Sequence, residues 1–139
     1  MIVVIDTNVV LTMFKPTHAN RPIFEAWAAG DLQWAVSTDI LLEYEEVMAR
    51  MNSAAYAAMA FRTMNAIEAV RGNLVRISPA FRFHTVPTDP DDNKFADCAI
   101  AAQADFVITA DHHFHPLAGA GYKPQPIAPE EFIRRHLNE

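Results

Sequence analysis

Ile2-Val3-Val4-Ile5 is an unbroken β-branched run with no polar alternation, and an acid, Asp6, follows it directly. A half-exposed strand alternates apolar and polar residues. A strand covered on both faces does not, so this run predicts a central strand of a parallel sheet. Leu32 to Val36, Leu74 to Ile77 and Phe106 to Thr109 repeat the short apolar pattern, and Pro- and Gly-rich residues 112–129 leave room for one more short strand. Stretches with helical spacing separate them: Val9 to Phe14, Ile23 to Ala29 opened by Pro22 with Asn20 as a cap, a helix started by Ser37-Thr38-Asp39, Ala54 to Val70 stopped by Gly72, and Asn93 to Ala104. A closing helix is expected from Pro129 to Leu137, and a loop from Ser78 to Asp92. Strands alternating with helices imply right-handed crossovers and an α/β sandwich. Its 139 residues fit one domain, residues 1–139.

In open parallel sheets ligands gather beyond the carboxyl ends of the strands. Asp6 after the first strand and Asp111 after the fourth stand at such ends. Asp97 lies inside a predicted helix, with Asn93, Lys94, Ile100 and Ala101 one turn away, and a carboxylate among small apolar residues is costly unless a cation or hydrogen bonds hold it. Glu43 borders the apolar stripe of Ile40, Tyr44, Val47, Met48 and Met51, whereas Glu45 and Glu46 fall on the solvated side. Singly, each of these acids reads as well as a helix cap, a turn residue or a surface charge. Together, Asp6, Glu43, Asp97 and Asp111 form an all-oxygen set suited to Mg²⁺ or Mn²⁺, which keep several waters and need few carboxylates. Such an ion polarises a phosphoryl oxygen, stabilises developing charge and activates water near neutral pH.

The net charge of −6 argues against nucleic acid only on its face, since carboxylates held at a divalent ion look acidic while the ion presents positive charge to a phosphate. A lone cysteine, Cys98, excludes an internal disulfide framework and suits a reducing cytoplasm. The opening residues do not read as a signal peptide, and no apolar run is long enough for a membrane span, so a cytoplasmic protein is expected.

The stretches Val4-Ile5-Asp6-Thr7-Asn8-Val9, Ser37 to Val47, Asp89 to Ala99 and Val107-Ile108-Thr109-Ala110-Asp111 resemble, in order and spacing, the PIN-domain family, especially the short bacterial VapC-like toxins of toxin–antitoxin pairs. The resemblance spans nearly the whole chain. It implies a three-layer α/β/α sandwich around a parallel sheet of four to five strands. It also implies a Mg²⁺- or Mn²⁺-dependent endonuclease that cuts single-stranded RNA to a 5′-phosphate and a 3′-hydroxyl, a cognate antitoxin, and a homodimer. Residue by residue, Asp6, Glu43 and Asp97 match the core acids and Asp111 the fourth. Thr7 or Asn8, Asn93 and Thr109 match supporting polar positions. Asp92 matches a further acid, as ligand, outer-sphere partner or helix cap, and its place at the start of the helix favours the cap. His112-His113-Phe114-His115 depart from the pattern where a charged residue and another acid are expected. They read as a polar loop near the site ahead of a transition-metal site.

Trp27 and Trp34, and Phe81 and Phe83, could stack on bases, but core packing or an interface is the stronger expectation. A response-regulator receiver would need an acidic pair after the first strand and a lysine after a late one. A haloacid-dehalogenase-type phosphatase would need an acid where Asn8 stands. The readings left standing beside the toxin are a non-catalytic PIN domain used as a binding module and an RNA-processing nuclease. The crowded acids also predict a partner that brings an Arg or Lys into them.

Overall fold

The computed structural model describes residues 1–78, 93–111 and 123–137. Among these residues five parallel strands form one sheet: β1 (Ile2–Ile5), β2 (Gln33–Val36), β3 (Leu74–Arg76), β4 (Phe106–Ile108) and β5 (Gln125–Ile127). Their spatial order is β3-β2-β1-β4-β5. The chain therefore steps outward from β1 through β2 to β3, then crosses back to build β4 and β5 on the other side. The strand order reverses between β1 and β4, where Val3, Val4 and Ile5 pair with Phe106, Val107 and Ile108. With its helices, the sheet makes a three-layer α/β/α sandwich, and the expected strand count and parallel pairing are met.

The helices follow the spacing in the sequence. They are α1 (Thr7–Met13), α2 (Arg21–Ala28), α3 (Thr38–Met51), α4 (Ala54–Arg71), α5 (Asn93–Ala102) and α6 (Pro129–Phe132), the last running on as a π-helical turn over Ile133–Leu137. Asp6 caps α1 by accepting from the Thr7 N–H, and Ser37 caps α3 by accepting from the Ile40 N–H. Gly72 ends α4 with φ +67°, the left-handed conformation that only glycine enters without strain. Asn20 departs from expectation. Its backbone is already helical, its side chain makes no cap bond, and its amide donates to the Thr12 hydroxyl.

Val3, Val4 and Ile5 are fully buried, as an unbroken apolar strand requires. Trp27 and Trp34 are also fully buried, edge to face with ring centroids 4.9 Å apart, so core packing is their role. The aromatic chain continues from Trp34 to Tyr44 of α3 and on to Phe95 of α5. These rings tie together the two helices that border the carboxyl ends of the central strands. No described helix is long and apolar enough to cross a membrane.

Candidate active site

The strand reversal between β1 and β4 places two chain segments side by side, and each ends in a polar group. The β1 run ends at Asp6, and β4 ends at Ile108 just before Thr109. Asp6 is only 6% exposed, and its two oxygens are both engaged. Oδ1 accepts from the Thr7 N–H at 2.8 Å, and Oδ2 accepts from the Thr109 hydroxyl at 2.7 Å. Thr109 in turn accepts from the Asp111 N–H at 2.9 Å, which sets the backbone of Asp111 at the rim. One hydroxyl thus orders two of the acids singled out from sequence.

Glu43 comes to the same place on α3. The Thr7 hydroxyl donates to Oε2, and the Lys94 ammonium lies 2.7 Å from Oε1. Of the two candidates for this support, Thr7 makes the contact and Asn8 is exposed. Tyr44, the next residue of α3, is fully buried and donates its hydroxyl to the Ile5 carbonyl, immediately before Asp6. Burial pushes the Tyr44 phenol well above its ordinary range, so it stays a donor.

α5 brings Asp97. Phe95, Ala96, Asp97, Cys98 and Ala99 are five consecutive buried residues, and Asp97 is 1% exposed. A helix segment covered on all sides is normally apolar, and this carboxylate is the most deeply buried acid among the described residues. Its charge acts on its neighbour: burial, with the Asp97 carboxylate adding, pushes the Cys98 thiol up to about 12.

The electrostatics tie three of the acids together. Burial raises the Asp6 carboxyl above its ordinary range. The bonds from Thr109 and Thr7 pull it down, and the charges of Asp111 and Glu43 push it up again. Asp6, Glu43 and Asp111 therefore share one field. Among the described residues, however, no three ligand-type side chains close around a common point as a pre-assembled metal centre. The donor set still suits a hard divalent ion, being carboxylate oxygen throughout, with a like-charge cost that such an ion would relieve. Asp92, the Asn93 side chain, His112, His113, His115, Phe81 and Phe83 lie outside the described residues.

Two contacts escape a linear reading. Lys94 was visible only as a neighbour of Asp97 one turn away, and its meeting with Glu43 depends on how α3 and α5 pack. Tyr44 belongs to the apolar stripe by spacing, and nothing in that spacing marks its hydroxyl as a strand clamp.

The family model described as the PIN domain matches residues 2–113. The chain belongs to the PIN-domain family. PIN domains are in general nucleases and typically use divalent metals. Among solved structures, one that the chain resembles is VapBC2 from Rickettsia felis bound to a DNA fragment from their promoter. That likeness has a TM-score of 0.56 and 16% identity, covering 85% of this chain and 94% of the other, and at that identity it supports the fold alone. No curated protein matches the chain.

Proposed function

We propose that this PIN domain is a Mg²⁺- or Mn²⁺-dependent endoribonuclease that hydrolyses single-stranded RNA, and that it is the toxin of a toxin–antitoxin pair. The observation that carries the reading is Asp6. It is a buried carboxylate at the strand reversal, gripped through both oxygens by Thr109, just after β4, and by the first residue of α1, and repelled by Glu43 and Asp111. A structural cap at a helix start needs neither a second donor from a distant segment nor two further acids in its field.

In this reading Asp6, Glu43, Asp97 and Asp111 hold the divalent ion, with Asp92 as a further candidate ligand. The bound ion supplies Lewis acidity at a phosphoryl oxygen and lowers the pKa of water. The chain supplies position. Thr109 and the Thr7 N–H keep Asp6 from turning, and the Thr7 hydroxyl orients Glu43. Asp97 is itself buried, and a low local dielectric strengthens any charge interaction it makes. The toxin role, an antitoxin partner and a homodimer belong to the same proposal, and they rest on the resemblance of the chain's motifs to the short VapC-like members of the PIN-domain family.

The test is cleavage of an unstructured, end-labelled RNA by purified protein with Mg²⁺, with Mn²⁺ and with EDTA. We expect cleavage with either ion, loss of cleavage in chelator and recovery when excess metal is restored. Cleavage indifferent to EDTA would overturn the metal assignment.

A further inference from the structure

Lys94 meets Glu43 in a setting unlike the other ion pairs among the described residues, each of which has at least one partner more than half exposed. The pair Arg50–Glu46 is 63% and 73% exposed at its side chains, and Arg134–Glu131 is 71% and 44% exposed. Such pairs contribute little and are screened by solvent. Lys94 and Glu43 are 21% and 22% exposed, with Nζ 2.7 Å from Oε1. Lys94 reaches Glu43 from the first turn of α5, one turn before Asp97, so the helix that delivers a candidate ligand also delivers a cation to another.

A divalent ion bound through Glu43 and the Lys94 ammonium cannot share that carboxylate comfortably, because at such a distance their like charges repel strongly in a partly desolvated site. The ammonium would have to leave. It has few directions to take. The residues that follow it, Phe95 to Ala99, are all buried, and its own side chain keeps 21% of its surface open to solvent. Lysine is a compact charge on a flexible four-carbon stem, with three rotatable donors suited to phosphate oxygen. In a chain of net charge −6, a cation at the mouth of an acidic cluster is well placed to hold a polyanion there.

We propose that Lys94 is a substrate-binding residue, an anchor for an RNA phosphate that Glu43 holds in readiness until a divalent cation takes the carboxylate. The proposal rests on the nuclease reading above. It predicts opposite effects on metal and substrate when Lys94 is removed, which a simple strap between α3 and α5 would not produce.

The experiment compares wild type, Lys94→Met and Lys94→Arg, first for Mn²⁺ binding by electron paramagnetic resonance without RNA, then for cleavage of a short single-stranded RNA over a range of salt. Lys94→Met should bind Mn²⁺ several-fold more tightly, having lost the competing cation. Its KM should rise about tenfold, and the slope of log KM against log salt should fall by about 0.7, the value for one lost phosphate contact on a single strand. Lys94→Arg should restore most of the KM. If Lys94→Met does not fold by circular dichroism, Lys94→Gln takes its place. A folded variant with wild-type KM and salt slope overturns the anchor, and one that binds Mn²⁺ no more tightly overturns the competition for Glu43. Either result, beside a wild type that binds Mn²⁺ and cleaves RNA, leaves the nuclease reading standing. A wild type that does neither removes both.

Discussion

Asp6 and Asp97 are single residues whose surroundings give each a testable energetic signature. The Asp6 carboxyl is raised above its ordinary range by burial, so the folded state holds its proton more tightly than the unfolded chain does. That contribution to stability is present below the ordinary carboxylate value and is lost as pH rises through the raised one. Asp6→Asn keeps the shape and removes the charge. In chelator it should therefore melt at or above wild type at pH 7, with the gap closing as the pH falls below the ordinary carboxylate range, while RNA cleavage disappears. Asp97→Asn should fold and likewise lose cleavage, by at least about a hundredfold, since even groups one step removed from a metal cost 10–100-fold when changed. Thermal melts and cleavage rates on the same preparations decide both. A folded variant of either residue with wild-type activity removes that acid from the site. How much of this was legible differs from residue to residue. Asp6 was, because four β-branched residues place it at a strand end by backbone geometry alone. Asp97 was, because its helix neighbours are small and apolar. The choice of Thr7 over Asn8 was not, because adjacent residues leave a helix start in different directions and only the position of Glu43 selects between them. The Lys94–Glu43 pair joins residues 51 positions apart and needs the packing of two helices.

Elements hold these side chains through a few bonds across the sheet. β1 ends at Ile5, and the hydroxyl of Tyr44 on α3 donates to the Ile5 carbonyl. The register of α3 is thereby tied to the end of β1, and with it Glu43 to Asp6. Tyr44→Phe preserves the ring between Trp34 and Phe95 but leaves a buried carbonyl without its donor, a loss of about 1–3 kcal/mol. We expect the urea midpoint to fall accordingly and kcat to fall with it, since the freed carbonyl precedes Asp6. Unchanged stability and kcat would show that the clamp does not matter. At the opposite end of the strands, Asp105 accepts from the Ile2 N–H at 2.9 Å and pairs with Lys123 at 2.7 Å. Those partners, Lys123 above all, hold its carboxyl below the ordinary range. The stability it adds is present above the ordinary carboxylate value and is lost as pH falls through the lowered one. Asp105→Ala should cost about 1–2 kcal/mol near neutrality, allowing for its partial exposure, and the two proteins should converge in stability in strong acid. Parallel denaturation curves across pH check the sign. The sequence placed both strands here, but it marked Asp105 only as the residue before an apolar run. Its bond to Ile2 depends on the pairing of β4 with β1, which no local pattern specifies. Asn20 shows the converse: a good capping residue by type, it turned to Thr12 because its own backbone had already entered the helical region.

At the scale of the whole molecule the governing quantity is the net charge of −6 gathered partly into one acidic mouth. A free RNA strand is repelled by such a surface until a divalent ion reverses the local field. A protein that carries a guanidinium into the same mouth could pair with one of these carboxylates in a bidentate fashion and would compete for the position that the ion requires. The Lys94 ammonium already demonstrates within the chain that a cation side chain can sit on Glu43. An arginine from outside would do so more strongly, because its planar fork engages both oxygens of a carboxylate. We therefore expect a small basic partner to silence the nuclease by competing with metal. Inhibition should weaken as Mg²⁺ or Mn²⁺ is raised, and it should disappear when the partner's inserted arginine is changed to alanine. In cells, expression of this chain alone should arrest growth, co-expression with the product of the adjacent gene should restore it, and Asp6→Asn should be harmless in either background. Harmless expression of soluble, nuclease-active wild type would sink the toxin role and favour a nuclease of RNA processing. Inhibition insensitive to metal concentration would place the partner on another face of the domain.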